Sequence, residues 1–294
     1  MKSTLLSALC EHVLVCDGAM GTELIARGLA PGECGMRWNR ERADEVRAVH
    51  QAYFGSGCRL ITTNSFGGTR TMLGRHGLET NLRDWNQTAA ELAREVAGEE
   101  GWVLGDVGPF GDFLEPLGEM TPEELHVIFS EQIEALVEGG ANAILVETMS
   151  DPGEAVVGVR AAKSVSTLPV VVTFAFQNAG GTFRTMMGVP AAAALGAVLE
   201  AGADIVGANC GTDLSLDQYA TLAKELARAA GRAPSILQPN AGAPQMTPEG
   251  LRYNATPEDM AAAALRIRDA GISIIGGCCG TTPAHLAAMA RALS

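Results

Sequence analysis

The run Ala143-Ile144-Leu145-Val146-Glu147-Thr148, followed at once by Asp151-Pro152-Gly153-Glu154, decides the fold. Its first four residues are apolar with no polar alternation, as expected of a parallel strand covered on both faces. Asp151-Pro152 then places a capping side chain before a proline at the first helical position. The helical pattern that opens there runs over 151–164. One apolar strand, a short turn and one helix make a βα unit, and Glu147 closes its strand.

The unit recurs in both directions from there. Apolar runs lie at 12–17, 59–64, 102–106, 143–147, 169–174, 204–209, 235–240 and 272–277. Between them lie helical patterns such as 122–139, 190–201, 216–230 and 256–270. Thr121-Pro122-Glu123-Glu124 and Thr256-Pro257-Glu258 repeat the start signal. Strands that alternate with helices predict an α/β fold, here a single (β/α)8 TIM barrel with residues 1–294 as one domain. The competing arrangement is an open doubly wound sheet. The first two connections, 18–58 and 65–101, are longer and predict extended loops over the barrel mouth.

Composition agrees with this and excludes other classes. A 47% hydrophobic content supports a large core, while 5% aromatics and 35 glycines suit tight strand–helix packing better than a β-sandwich. A net charge of −13 repels phosphate backbones and argues against nucleic-acid binding. No apolar run approaches the roughly 20 residues that cross a bilayer. The opening 1–10 reads as a short amphipathic helix and not as a signal peptide. Seven cysteines without an export signal predict reduced thiols in the cytoplasm.

In a barrel the reactive groups gather at the C-terminal ends of the strands. The strand ends here are Asp17, Asn64, Asp106, Glu147, Phe174, Cys210, Asn240 and Cys278-Cys279. Seven of these eight ends carry polar or metal-binding side chains. Cys210 and the pair Cys278-Cys279 predict a zinc site, because three thiolates select a borderline ion and leave a fourth position open. Neighbours on a regular strand face opposite ways, so both Cys278 and Cys279 reach one ion only if the chain leaves strand geometry. Gly276, Gly277 and Gly280 are expected to supply that freedom. Cys10, Cys16, Cys34 and Cys58 read as small buried hydrophobes. The five histidines lie in helical or loop stretches and read as structural or solvated.

The turn Asp17-Gly18-Ala19-Met20-Gly21-Thr22 either offers backbone N–H groups to a small anion or is a plain βα turn. It lacks the lysine of a phosphate loop, and no dinucleotide fingerprint occurs at a strand–helix junction. Asp17 and Glu147 are placed to hold an ammonium group. The pocket then suits an α-amino acid that carries a thiol.

Asp17-Gly18-Ala19-Met20-Gly21-Thr22, Thr63-Asn64-Ser65-Phe66-Gly67, Gly105-Asp106-Val107-Gly108-Pro109, Glu147-Thr148, the stretch 207–211, Pro239-Asn240-Ala241-Gly242 and Gly276-Gly277-Cys278-Cys279-Gly280-Thr281-Thr282 occur in an order that resembles the homocysteine S-methyltransferase family. The likeness covers nearly the whole chain. It is similar above all to the homocysteine-binding zinc barrel of cobalamin-dependent methionine synthase and its free-standing bacterial relatives. The resemblance implies zinc on Cys210, Cys278 and Cys279, the homocysteine amino group on Asp17 and Glu147, and its carboxylate on the turn Gly18 to Thr22. It implies Asn240 as a fourth zinc ligand when substrate is absent, and places Asn64 among the substrate-binding residues. The implied donor is a methylated corrinoid protein, with cobalamin carried on a separate polypeptide. Betaine and sulfonium compounds such as S-methylmethionine are the alternatives, as are another thiol acceptor or the reverse, demethylating direction. The aromatic residues expected of a betaine cage after Asn64 and Glu147 are absent. The chain ends at Ser294, so no folate, cobalamin or activation domain is expected within it. Storage of a thiol on a structural zinc is the non-enzymatic alternative.

Overall fold

The computed structural model describes residues 4–30, 32–247 and 250–294. The eight barrel strands are β1 (Leu14–Val15), β2 (Leu60–Thr62), β3 (Trp102–Val107), β4 (Ala143–Met149), β5 (Val170–Phe174), β6 (Ile205–Asn209), β7 (Ser235–Gln238) and β8 (Ile274–Ile275). All pair in parallel, in the order β1-β8-β7-β6-β5-β4-β3-β2. A parallel bridge between Cys16 and Leu60 closes the ring. There Asp17 N donates to Leu60 O at 3.0 Å and Arg59 N to Val15 O at 2.9 Å. This is the α/β barrel expected, and each of the eight apolar runs overlaps one of its strands, with β3 and β4 running on past theirs.

Each strand is followed by a helix that packs outside. The helix Pro122–Glu138 starts at a capping box in which Thr121 and Glu124 satisfy each other's backbone N–H groups. Pro257–Asp269 starts the same way with Thr256 and Asp259. Asp151 caps Pro152–Val165 by accepting from Gly153 N. The long first two connections carry additional helices, among them Met20–Ala26 after β1 and Arg70–Gly74 after β2. Two antiparallel hairpins were not foreseen from the sequence: Phe176–Ala179 with Thr182–Thr185, and Gln245–Thr247 with Gly250–Arg252. They extend the loops after β5 and β7. Among the described residues no helix is long and apolar enough to cross a membrane.

The strands alternate even though nearly all their residues are apolar. Val15, Ile61, Val103, Ile144, Val146, Val172, Val206, Leu237 and Ile275 join the cluster shared with the helices. Leu14, Cys16, Leu60, Trp102, Leu104, Ala143, Leu145, Val171, Ile205, Ile236 and Ile274 form a second cluster inside the ring. The short helix Leu5–Leu9 plugs the lower end with Leu5 and Ala8. One side of each strand therefore fills the barrel and the other meets the helices.

Candidate active site

Followed upward along each strand, the inward side changes character. Leu60 leads to Thr62, Leu104 to Asp106, Leu145 to Glu147, Val171 to Thr173, Ile236 to Gln238 and, two steps on, Ile205 to Asn209. This polar layer floors a cavity of about 460 Å³ at the C-terminal end of the barrel. Asp17, Gly18, Ala19, Met20, Gly21, Thr22, Asn64, Glu147, Cys210, Cys278 and Cys279 all line it. Asn240 does not, but it lies beside the cysteines: Cys278 N donates to Pro239 O at 2.8 Å and Ala241 N to Cys279 O at 2.9 Å.

The three sulfurs all lie within 4.8 Å of one another. Cys210 Sγ and Cys279 Sγ are 3.8 Å apart. A tetrahedron with Zn–S bonds of 2.3 Å has sulfur–sulfur edges of about 3.8 Å, so the donor set fits zinc in both chemistry and spacing. Asn240 adds a second sign, because its Oδ1 is buried without a hydrogen-bond partner. An acceptor left so beside three thiols is unusual unless something electrophilic completes it.

The backbone at these ligands departs from the expected pattern. Of the glycines around the pair, Gly280 is left-handed (φ 78°), whereas Gly276 and Gly277 are not. Gly277 is required by space, since a Cβ there would meet Thr281 Oγ1 at 2.6 Å. The left-handed ligand is Cys210 itself, at φ 51°. Its carbonyl accepts from the Tyr219 hydroxyl, which also accepts from Asn240 N at 3.4 Å. The turn after β1 is stitched to the cysteine loop: Ala19 N donates to Thr281 Oγ1 at 3.2 Å, and Gly280 N to Thr22 Oγ1 at 3.1 Å. That commits one of the turn's N–H groups and leaves those of the first helical turn, Met20 to Thr22, without intrahelical acceptors.

Charge in the cavity is costly and shared. Burial raises Asp17 to about 7, against hydrogen bonds from Thr62 N and Thr62 Oγ1, both 2.8 Å. Burial also raises Glu147 to about 7, with the Asp17 charge adding to it. Asp106 goes well up, through burial and then the neighbouring Glu147. Asp106, a strand end in the sequence, is thus a third buried carboxyl of the cavity. Hydrogen bonds from Cys210 and Cys278 hold the Cys279 thiol down to about 3, while those with Cys210 and Cys279 push Cys278 well up.

Other residues go elsewhere. Asn64 lines the cavity but commits both amide hydrogens to its wall, donating to Gly35 O at 3.0 Å and Asn39 Oδ1 at 2.9 Å. Cys16 and Cys58 are buried as expected, but Cys34 is half-buried in the cavity wall and Cys10 is exposed at the end of the first helix. A five-residue helix is too short to cover its own last turn. His76 also reaches the cavity. Asn209 was overlooked, although strand alternation from Ile205 would have placed it inside.

A family model for homocysteine S-methyltransferases matches residues 14–293. The chain belongs to the homocysteine S-methyltransferase family. It is 36% identical over 306 residues to methionine synthase of Mycobacterium tuberculosis, covering 99% of this chain and 25% of that protein. Methionine synthase of Mycobacterium leprae is 34% identical, with the same coverage. This homocysteine S-methyltransferase family member therefore spans about a quarter of the length of those curated relatives. Its fold matches the metallated homocysteine methyltransferase MmuM from Escherichia coli at a TM-score of 0.81, with 23% identity over 98% of this chain and 99% of the other. A methyltransferase from Methanosarcina mazei matches at a TM-score of 0.62 and 13% identity, covering 98% and 96%.

Proposed function

We propose that this barrel transfers a methyl group to the thiol of homocysteine, forming methionine, and depends on zinc. The observation that carries this reading is the meeting, in one cavity, of three thiols at zinc spacing with the buried carboxyl groups of Asp17 and Glu147. Cys210, Cys278 and Cys279 would hold the metal. Zinc bound there supplies a centre that keeps a substrate thiol deprotonated at neutral pH, where a free thiol with a pKa near 8.5 is mostly protonated. The thiolate ligands leave that centre electron-rich, which preserves the sulfur's nucleophilicity. Asp17 and Glu147 hold the ammonium group, and the turn from Gly18 to Thr22 receives the carboxylate. Asn240 offers its orphaned Oδ1 as the fourth ligand before substrate arrives. Asn64 acts by shaping the wall. A histidine base would not be required, because zinc held by these cysteines would lower the thiol's pKa enough for water to take its proton. The barrel works as one domain, in a reducing compartment such as the cytoplasm, because its ligands must stay thiolates.

The proposed donor is a methylated corrinoid protein that carries cobalamin to the mouth. Among the described lining residues Phe66 is the one Phe, Tyr or Trp, and Trp38 is buried with Arg42 3.9 Å from its ring, so these two rings do not form a cage for a quaternary ammonium. The test compares methionine formation from homocysteine with a methylcobalamin-loaded corrinoid protein, betaine, S-methylmethionine and dimethylsulfoniopropionate, alongside metal analysis. Turnover with the corrinoid donor and one zinc per chain is expected. Full methylation by metal-free protein would overturn the zinc mechanism, and turnover with betaine or a sulfonium compound alone would reassign the donor.

A further inference from the structure

Asn209 ends β6, immediately before Cys210, with its side chain buried in the polar layer. Every hydrogen-bonding position on its amide is occupied. Thr148 N donates to Oδ1 at 3.0 Å, and Thr173 Oγ1 donates to the same oxygen at 2.8 Å. Nδ2 donates to Glu147 Oε2 at 3.0 Å and Thr148 Oγ1 at 2.7 Å, and lies 3.8 Å from Cys278 Sγ. The amide cannot be turned over. A backbone N–H only donates, so the oxygen must face Thr148, and the NH2 must face the carboxylate and the sulfur.

The backbone is bent to make this contact. β4 changes register between Val146 and Met149, and Thr148 takes a left-handed conformation at φ 60°. That is a rare state for a β-branched residue, and it persists only where the surroundings enforce it. The bend points the Thr148 N–H inward at Asn209, and Cys210, on the other side of the amide, is left-handed as well. Two strained residues thus flank one amide that joins β4, β5 and β6 to the cysteine loop.

We infer that Asn209 is a positioning residue coupling the two halves of the site: the two hydrogens of its NH2 serve three acceptors, aiming Glu147 at the substrate ammonium and sharing a hydrogen between Thr148 Oγ1 and the Cys278 sulfur. This rests on the homocysteine reading above. A hydrogen bond to a ligand sulfur draws electron density from it, and partners of this kind orient and tune a metal site. Removing Asn209 should therefore change amine recognition and thiolate electronics together, which a packing residue would not do.

The test uses the full chain, with zinc and with cobalt(II) in its place. Wild type and Asn209→Ala are compared for binding of homocysteine and of 4-mercaptobutanoate, the same thiol without the amine. Wild type should prefer homocysteine, and the variant should lose roughly 10- to 100-fold of that preference while retaining one metal per chain. In the cobalt form without substrate, loss of the hydrogen bond should move the thiolate-to-metal charge-transfer band to lower energy. Thr173→Val, which removes a donor that orients the amide, should shift both readouts the same way by less, and it carries the test if Asn209→Ala does not fold. A preference within twofold of wild type with an unmoved band would overturn the inference. If wild type itself does not prefer homocysteine, the functional reading falls and takes the inference with it.

Discussion

The lower and upper ends of this barrel are built from the same strands, two residues apart. Below, Leu60, Leu104, Leu145 and Val171 pack against one another beneath the plug of Leu5 and Ala8. Above, their successors on the same side are Thr62, Asp106, Glu147 and Thr173, and three of these four line the cavity while Thr173 bonds Asn209 beneath it. The lower layer gains stability by excluding water from apolar side chains. The upper layer spends stability, since it buries carboxyl groups whose ionisation is disfavoured. Stability and chemistry are thus separated along the barrel axis.

That separation can be broken most severely at the cysteines. Replacing Cys279 with Ala should remove bound zinc and reduce methionine formation to background, read by metal analysis and a turnover assay. Residual activity would move the chemistry to another part of the mouth. Next, Leu104→Ala or Leu145→Ala in the lower layer should cost about 2–5 kcal/mol in denaturant unfolding, with homocysteine affinity unchanged. A large affinity change there would mean that the two ends are energetically coupled.

Glu147→Gln should sharpen the contrast from the other side. Homocysteine binding should weaken about 10- to 100-fold, with little loss of stability, because the neutral amide avoids the cost of a buried charge. Calorimetry of binding and of unfolding reads both. The smallest effect is with pH. Asp17 and Glu147 sit near 7, above their ordinary values, so folding favours their protonated forms. That stabilisation is complete below about pH 4 and lost as pH rises through 7. An ammonium ligand needs the ionised forms, so homocysteine affinity should run the opposite way. It should fall roughly tenfold per unit as pH drops below 7 for each proton the site must shed. An affinity flat from pH 6 to 8 would remove these carboxyls from amine recognition.

The eight strands were legible because parallel strands under helices need apolar residues on both faces, and runs such as Ala143 to Val146 supply them. The cysteines were legible because adjacent thiols among glycines have few structural uses. Less visible is the side each strand residue takes: a run that is apolar throughout hides its own alternation, and with it the inward aim of Asp106 and Asn209. The hairpin Phe176–Ala179 with Thr182–Thr185 has no apolar run to announce it, being mostly polar, with Phe176, Phe183 and Thr185 buried. The commitment of the Asn64 amide to Asn39 depends on two loops meeting across 25 positions of chain, which local sequence does not encode.

The strands β1 and β8 are only two residues long and adjacent in the ring. Their joint is short, with Leu14 N, Cys16 N and Gly277 N donating to Ser273 O, Ile275 O and Asp17 O, and they lead directly into Asp17 and into Cys278 and Cys279. Anything that grips Asp17 on one side and the cysteine pair on the other therefore acts as a clasp on a short joint of the barrel. Occupancy of the mouth and resistance of the whole ring to opening become one measurable quantity, visible as slowed amide exchange at Asp17 and Gly277, whose N–H groups bond to Leu60 O and Asp17 O.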